Sequence, residues 1–186
     1  MKTVLKSILI LTGGVMLSAC GMGGKAHEKP VPAELQGMKV IGIDARTRNH
    51  DEVLGKGKIP ALWKRFLTEN IAAKIPNQTE PGKIVVVYTD IETDETGPYR
   101  IIIGAPVKNL EKIPAGMTGH SIPPAQYIKF TTVRGSLKTI GIRAWQAIWA
   151  DKALKKRRAY KSDLEIYDGR SRDPANAQFD IFVGVK

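Results

Sequence analysis

The feature that constrains this chain most is an internal echo. Pro98-Tyr99-Arg100-Ile101-Ile102-Ile103-Gly104-Ala105 is answered near the C-terminus by Gln178-Phe179-Asp180-Ile181-Phe182-Val183-Gly184-Val185. A similar series of patterns leads up to each copy. In the first half, residues 37–45 alternate in the manner of a strand. Ile59, Leu62, Trp63, Phe66, Leu67 and Ile71 then recur at three and four, the stripe of an amphipathic helix. Pro60 falls in its first turn, where proline is tolerated, and Ile75-Pro76-Asn77 stops it. Ile84-Val85-Val86-Val87-Tyr88 and residues 99–105 read as strands on either side of an acidic turn. In the second half, residues 124–133 read as a strand and Ser136 as a helix N-cap. Leu137, Ile140, Ala144, Trp145, Ile148 and Trp149 form the second stripe, and residues 163–168 and 179–185 the closing strands. Residues 49–58 and 116–121 read as loops. The order β-α-β-β, given twice, predicts an α+β fold: duplicated units about a pseudo-twofold axis, with two helices on one face of a mainly antiparallel sheet. A cleft between the halves is the natural place for a ligand.

The N-terminus carries a different message. Lys2 and Lys6 precede an apolar run, residues 7–17, that is short and broken by Gly13 and Gly14. That is the charged start and apolar core of an export signal, shorter than the roughly 20 residues of a membrane span. Leu17-Ser18-Ala19-Cys20 resembles a lipobox. Residues 1–19 are therefore expected to be a lipoprotein signal peptide, with Cys20 lipidated as the new N-terminus. The alternatives are an ordinary cleaved signal or a cytoplasmic chain with an apolar start. Cys20 is the only cysteine, so no disulfide can form within the chain. Residues 20–36, rich in Gly, Pro and charge, are expected to be a flexible tether. The domain is then residues 37–186. By resemblance to sorted lipoproteins, Gly21 favours the outer membrane in a cell that has two membranes.

The chain has a formal net charge of +11. In a cytoplasmic protein this would suggest nucleic acid; export argues against that partner. Much of the excess sits in residues 152–161, in Lys152, Lys155, Lys156, Arg157, Arg158 and Lys161. That run reads either as a solvated helix end or as a contact for anionic lipid headgroups. His27, His50 and His120 are scattered without metal-ligand spacing, so neither a metal nor a cofactor is expected.

Four stretches, in this order, resemble one known family. They are Ile122-Pro123-Pro124-Ala125-Gln126-Tyr127-Ile128-Lys129-Phe130, Trp145-Gln146-Ala147-Ile148-Trp149, Asp163-Leu164-Glu165-Ile166-Tyr167-Asp168 and Phe179-Asp180-Ile181-Phe182-Val183-Gly184-Val185. Together they resemble the GyrI-like effector-binding domain, found in AraC-type and MerR-type transcription activators and as free-standing proteins. The resemblance spans about residues 37–186. It implies a duplicated β-α-β-β fold and an aromatic pocket that, in multidrug-binding members, takes lipophilic and often cationic molecules. It also implies a buried glutamate, which falls here on Glu165. Leu164 stands where phenylalanine is more usual, and no helix-turn-helix segment precedes the domain.

Residue chemistry and resemblance meet at Glu165. On a strand it faces away from Leu164 and Ile166, and on an aromatic cleft desolvation would raise its pKa and favour a lipophilic cation. Solvent exposure or pairing with a structural arginine is the alternative. Trp63, Trp145 and Trp149 are candidate cleft walls or plain core. Tyr99 and Tyr127 are candidate hydroxyl donors to a ligand or to Glu165, or cross-strand packing. The expected function is an envelope lipoprotein that binds a small lipophilic organic ligand, cationic or neutral, in an aromatic cleft with a central glutamate. The alternatives are a hydrolase of a reactive small molecule that uses the pocket glutamate and tyrosine, and an envelope protein-interaction module.

Overall fold

The computed structural model describes residues 24–186. The expected signal peptide, residues 1–19, and the expected lipid site Cys20 lie outside the described residues. In chain order the elements are β1 (Val31–Leu35), β2 (Met38–Thr47), α1 (Asn49–Val53), α2 (Ile59–Thr68), α3 (Ile71–Lys74), β3 (Ile84–Thr89) and β4 (Tyr99–Val107). Then come β5 (Thr118–Ile122), β6 (Ala125–Thr131), α4 (Leu137–Ala150), α5 (Lys152–Arg157), β7 (Ser162–Tyr167) and β8 (Asp180–Gly184). The expected duplicated α+β fold is present. The units β2-α2-β3-β4 and β6-α4-β7-β8 meet where β3 pairs with β7.

The strands form one antiparallel sheet in the order β1-β6-β8-β7-β3-β4-β2-β5. This order reads the same from both ends once the halves are exchanged. The echoed segments are equivalent: β4 lies between β2 and β3 as β8 lies between β6 and β7. The connections then dictate the sheet's shape. Strands β1 and β2 are joined only by Gln36 and Gly37, yet six strand spacings separate them. Six spacings of a flat sheet measure roughly 29 Å, whereas three Cα steps reach at most about 11 Å. Pro123 and Pro124 join β5 to β6 under the same constraint. The sheet must curl until its edges approach. Gly42 and Gly104 face each other across β2 and β4, and a Cβ on either would fall 2.2 Å from a backbone oxygen of the other strand. Only glycine allows that close approach.

Curling gives the sheet two buried faces. On the inner one, Val40, Val85, Val87, Ile102, Leu164, Ile166 and Phe182 pack on each other. The outer face carries the helices. Ile41, Ile43, Val86, Ile101 and Ile103 meet Leu62, Trp63, Phe66 and Leu67 of α2. Phe130, Phe179, Ile181 and Val183 meet Ile140, Ala144 and Ile148 of α4.

Three segments differ from their sequence reading. The expected tether over residues 20–36 contains β1, which pairs with β6 from Val31↔Lys129 to Leu35↔Ala125. Pro30 and Pro32 argue against a strand, but β1 is an edge strand with one neighbour, where a missing N–H is tolerated. The expected loop 116–121 overlaps β5, the other edge strand, in which only Ile122 is buried and no apolar alternation shows. The expected loop 49–58 contains the short helix α1, none of whose residues is buried.

Candidate functional site

A cavity of about 290 Å³ lies between the two halves. Its floor is the outer face of the central strands. Strand β7 presents Asp163, Glu165 and Tyr167 to it, while Leu164 and Ile166 turn inward, as a period of two requires. The neighbouring β3 adds Tyr88, and β4 adds Tyr99. One wall is Asn49, Glu52 and Val53 of α1 with Ile59, Pro60 and Trp63 of α2. Leu137, Gly141, Ile142, Trp145, Gln146 and Trp149 of α4 form the other.

Glu165 is the centre of this site and is 5% exposed. Its Oε1 accepts from the Trp145 indole Nε1 at 2.6 Å and from the Tyr88 hydroxyl at 3.1 Å. Its Oε2 accepts from the Tyr167 hydroxyl at 2.7 Å. All three donors are neutral, and among the described residues no cation pairs with it. Burial pushes its pKa up, and the three hydrogen bonds only partly oppose this. The neighbouring hydroxyls respond in kind: burial and the Glu165 charge raise the pKa of both Tyr88 and Tyr167.

The aromatic side chains hold one another edge to face. Ring centroids are 5.6 Å apart for Trp63 and Tyr167, 5.4 Å for Tyr88 and Trp145, and 5.7 Å for Tyr88 and Tyr99. Trp145 and Trp149 stack at 5.8 Å. The cavity brings Trp63, Trp145, Trp149, Tyr99 and Glu165 together, but the two tyrosines behave differently from their sequence reading. Tyr99 lines the cavity yet gives its hydroxyl to Asn49 Oδ1 at 2.9 Å, not to Glu165. Tyr127 is absent from the cavity. It lies on the inner face of the curled sheet, 2% exposed and edge to face with Phe182, because its register on β6 turns it away from the helices.

Sequence reading missed both Tyr88 and Tyr167. Tyr167 was within reach, being two residues beyond Glu165 and so on the same face. Tyr88 depends on the β3–β7 register, which places Val86 opposite Glu165 and Tyr88 one step along, opposite Asp163. A second polar group at one end of the cavity was also missed. The buried Arg158 guanidinium pairs with buried Asp163 and lies 4.4 Å from the Tyr160 ring centroid. Its Nη1 is 3.9 Å from Glu95, which also accepts from the Tyr160 hydroxyl at 2.6 Å and from Lys155. Five carboxylates and one guanidinium line the cavity (Glu52, Asp94, Glu95, Asp163 and Glu165 with Arg158), so it is acidic inside a strongly basic chain. Glu52 is committed locally, accepting the Lys58 and Ile59 N–H groups at the start of α2.

Comparison with known proteins gives a consistent picture. The family model for an integron-associated effector binding protein matches residues 33–185. The crystal structure of an integron cassette protein from the mobile metagenome of Vibrio cholerae superposes with a TM-score of 0.70 at 26% identity, covering 86% of this chain and 97% of that one. The putative transcriptional regulator YobU of Bacillus subtilis (strain 168) is 27% identical over 149 residues, 80% of this chain and 92% of that protein. A protein solved bound to tetraphenylphosphonium superposes with a TM-score of 0.69, covering 86% of this chain and 94% of that one. At 16% identity that likeness concerns the fold.

Proposed function

This chain belongs to the integron-associated effector binding protein family, and from that premise we propose that it binds a lipophilic organic cation in the cavity over Glu165. The observation that carries this reading is a buried carboxylate with aromatic walls and no cationic partner among the described residues. A ligand that brings its own positive charge would supply the missing counter-ion, and the rings of Trp63, Trp145 and Trp149 would face it. The hydrogen bonds refine the ligand class. A carboxylate has about four acceptor sites, and three are taken by Trp145, Tyr88 and Tyr167. What Glu165 offers is charge more than an acceptor, which favours quaternary cations without N–H groups. A structural relative has been solved with tetraphenylphosphonium, a cation of this kind.

The lipobox-like sequence ending at Cys20 supports placing this domain in the cell envelope as a lipoprotein. Mass spectrometry of the N-terminal peptide tests that part: an acylated Cys20 is expected, and an unmodified peptide starting at Met1 would contradict it. For the ligand, fluorescence titration with tetraphenylphosphonium reads the three cavity tryptophans, Trp63, Trp145 and Trp149, together. Saturable quenching is expected, strongly weakened in Glu165→Gln. Equal quenching in both proteins would remove Glu165 from the site.

A further inference from the structure

Three surface features lie along α4 and at the cavity opening. The first is the route of the N-terminal chain. The Gly24 carbonyl accepts from Arg143 Nη2 of α4 at 3.2 Å, and the Ala26 carbonyl accepts from the Val133 N–H at 3.3 Å. His27 bridges to Thr132, Glu28 donates to the Thr131 carbonyl at 2.8 Å, and β1 follows. Most of the expected tether is therefore laid on the fold. Cys20 precedes Gly24 by four residues, and even fully extended these span only about 14 Å. A lipid on Cys20 would hold the α4 side of the domain close to the bilayer.

The second feature is apolar. Val53 is 76% exposed and Ile142 43% exposed, yet both line the cavity, so they stand at its opening. Leu54, 54% exposed, follows Val53, and Ile142 is the residue before Arg143. Large exposed apolar side chains gathered at one opening point to something that covers them. The third is charge. Helix α4 runs through the Asp151 cap directly into α5, where Lys152, Lys155, Lys156 and Arg157 are exposed. Leu154 is the buried residue of α5, so its cations stand outward. Surface cations beside exposed apolar groups suit an anionic lipid surface, where headgroups meet the charge and acyl chains the apolar tips.

We propose that the cavity opens onto an anionic lipid bilayer. Val53, Leu54 and Ile142 sit in the headgroup region, α5 rests on anionic headgroups, and a lipophilic ligand enters from the membrane. This rests on reading Cys20 as the lipid anchor, and it adds a docking orientation to that reading. The charge reach of α5 is about 8 Å at physiological ionic strength, so the orientation depends on the short tether.

The test uses the full protein, extracted from host membranes in detergent and returned to phosphatidylcholine vesicles with or without phosphatidylglycerol. Val53→Trp adds a reporter at the opening, read as the difference from the unaltered protein, whose Trp63, Trp145 and Trp149 also emit, and lipids brominated along their acyl chains quench a tryptophan that touches them. In phosphatidylglycerol vesicles the reporter should shift to the blue and be quenched. Both effects should be lost when Lys152, Lys156 and Arg157 are changed together to Glu. Water-like emission in those vesicles, or unchanged quenching after charge reversal, would overturn the proposal. So would a blue shift that follows protein concentration rather than lipid, which would assign the surface to a second copy of the chain. A protein absent from the membrane fraction sinks both the anchor and this orientation. Ligand binding over Glu165, measured in solution without vesicles, is independent of either result.

Discussion

Asp163 and Glu165 stand two residues apart on the same face of β7, and both are buried. Their surroundings differ in kind. Asp163 holds the Arg158 guanidinium and accepts the Gly184 N–H at 2.8 Å, so its charge is answered within the chain. Glu165 meets an indole and two phenols, and among the described residues no cation answers it. Burial pushes both carboxyls up; at Asp163 a full positive charge pulls back, at Glu165 only neutral dipoles do. Equal burial on one strand thus serves two ends. One carboxylate closes the protein on itself, and the other, on the proposed reading, is the counter-charge for a cationic ligand.

The contrast breaks most visibly at Asp163. Asp163→Asn leaves the buried Arg158 guanidinium with only the more distant Glu95, and losing one partner of a buried pair costs about 3–5 kcal/mol. Denaturant unfolding should show this loss, well beyond that of Glu165→Gln; equal losses would erase the distinction. The next effect is on binding. A charge pair about 6 Å apart at an effective dielectric of about 20 is worth about 3 kcal/mol, and desolvation of the cation offsets part of it. Glu165→Gln should therefore weaken tetraphenylphosphonium by roughly ten- to a hundredfold, with the fold kept. Trp149→Ala should cost less, roughly two- to thirtyfold, since a ring facing a cation contributes about 0.5–2 kcal/mol. A neutral ligand of the same size should lose as much in Trp149→Ala but little in Glu165→Gln, a comparison calorimetry can make.

The smallest expected effect is on the pH dependence of stability. Glu165 binds its proton more tightly folded than unfolded, so the folded state holds more protons above its ordinary value of 4.5. Its contribution to stability is then fully present below that value and is lost as pH rises through the folded pKa. Relative to Glu165→Gln, the unaltered protein should become less stable across that window. An unaltered protein that gains stability relative to Glu165→Gln as pH rises would contradict the raised pKa.

Much of this was legible in the residues. The echo of residues 98–105 in 178–185 located the two equivalent central strands, β4 and β8, and the stripes through Trp63 and Trp145 located both cavity walls. Glu165 was legible because strand alternation gives its face and the family resemblance gives its surroundings. What failed was what depends on partners distant in the chain. Val31-Pro32-Ala33 looks like linker until β6 lies beside it. Tyr127 looks like a site tyrosine until the register shows it on the inner face, and Tyr88 gains its role only through the pairing of β3 with β7. The Arg158–Asp163 pair hides in a basic run whose other members are solvated.

The central claim, that Glu165 is a buried charge awaiting a cation, is tested most directly by tetraphenylphosphonium affinity as a function of pH. In the unaltered protein the affinity should rise with pH through the raised pKa of Glu165 and then level off, because the ligand needs the ionised form. In Glu165→Gln it should be low and flat. Parallel curves for the two proteins, or an affinity that falls as pH rises, would contradict the account.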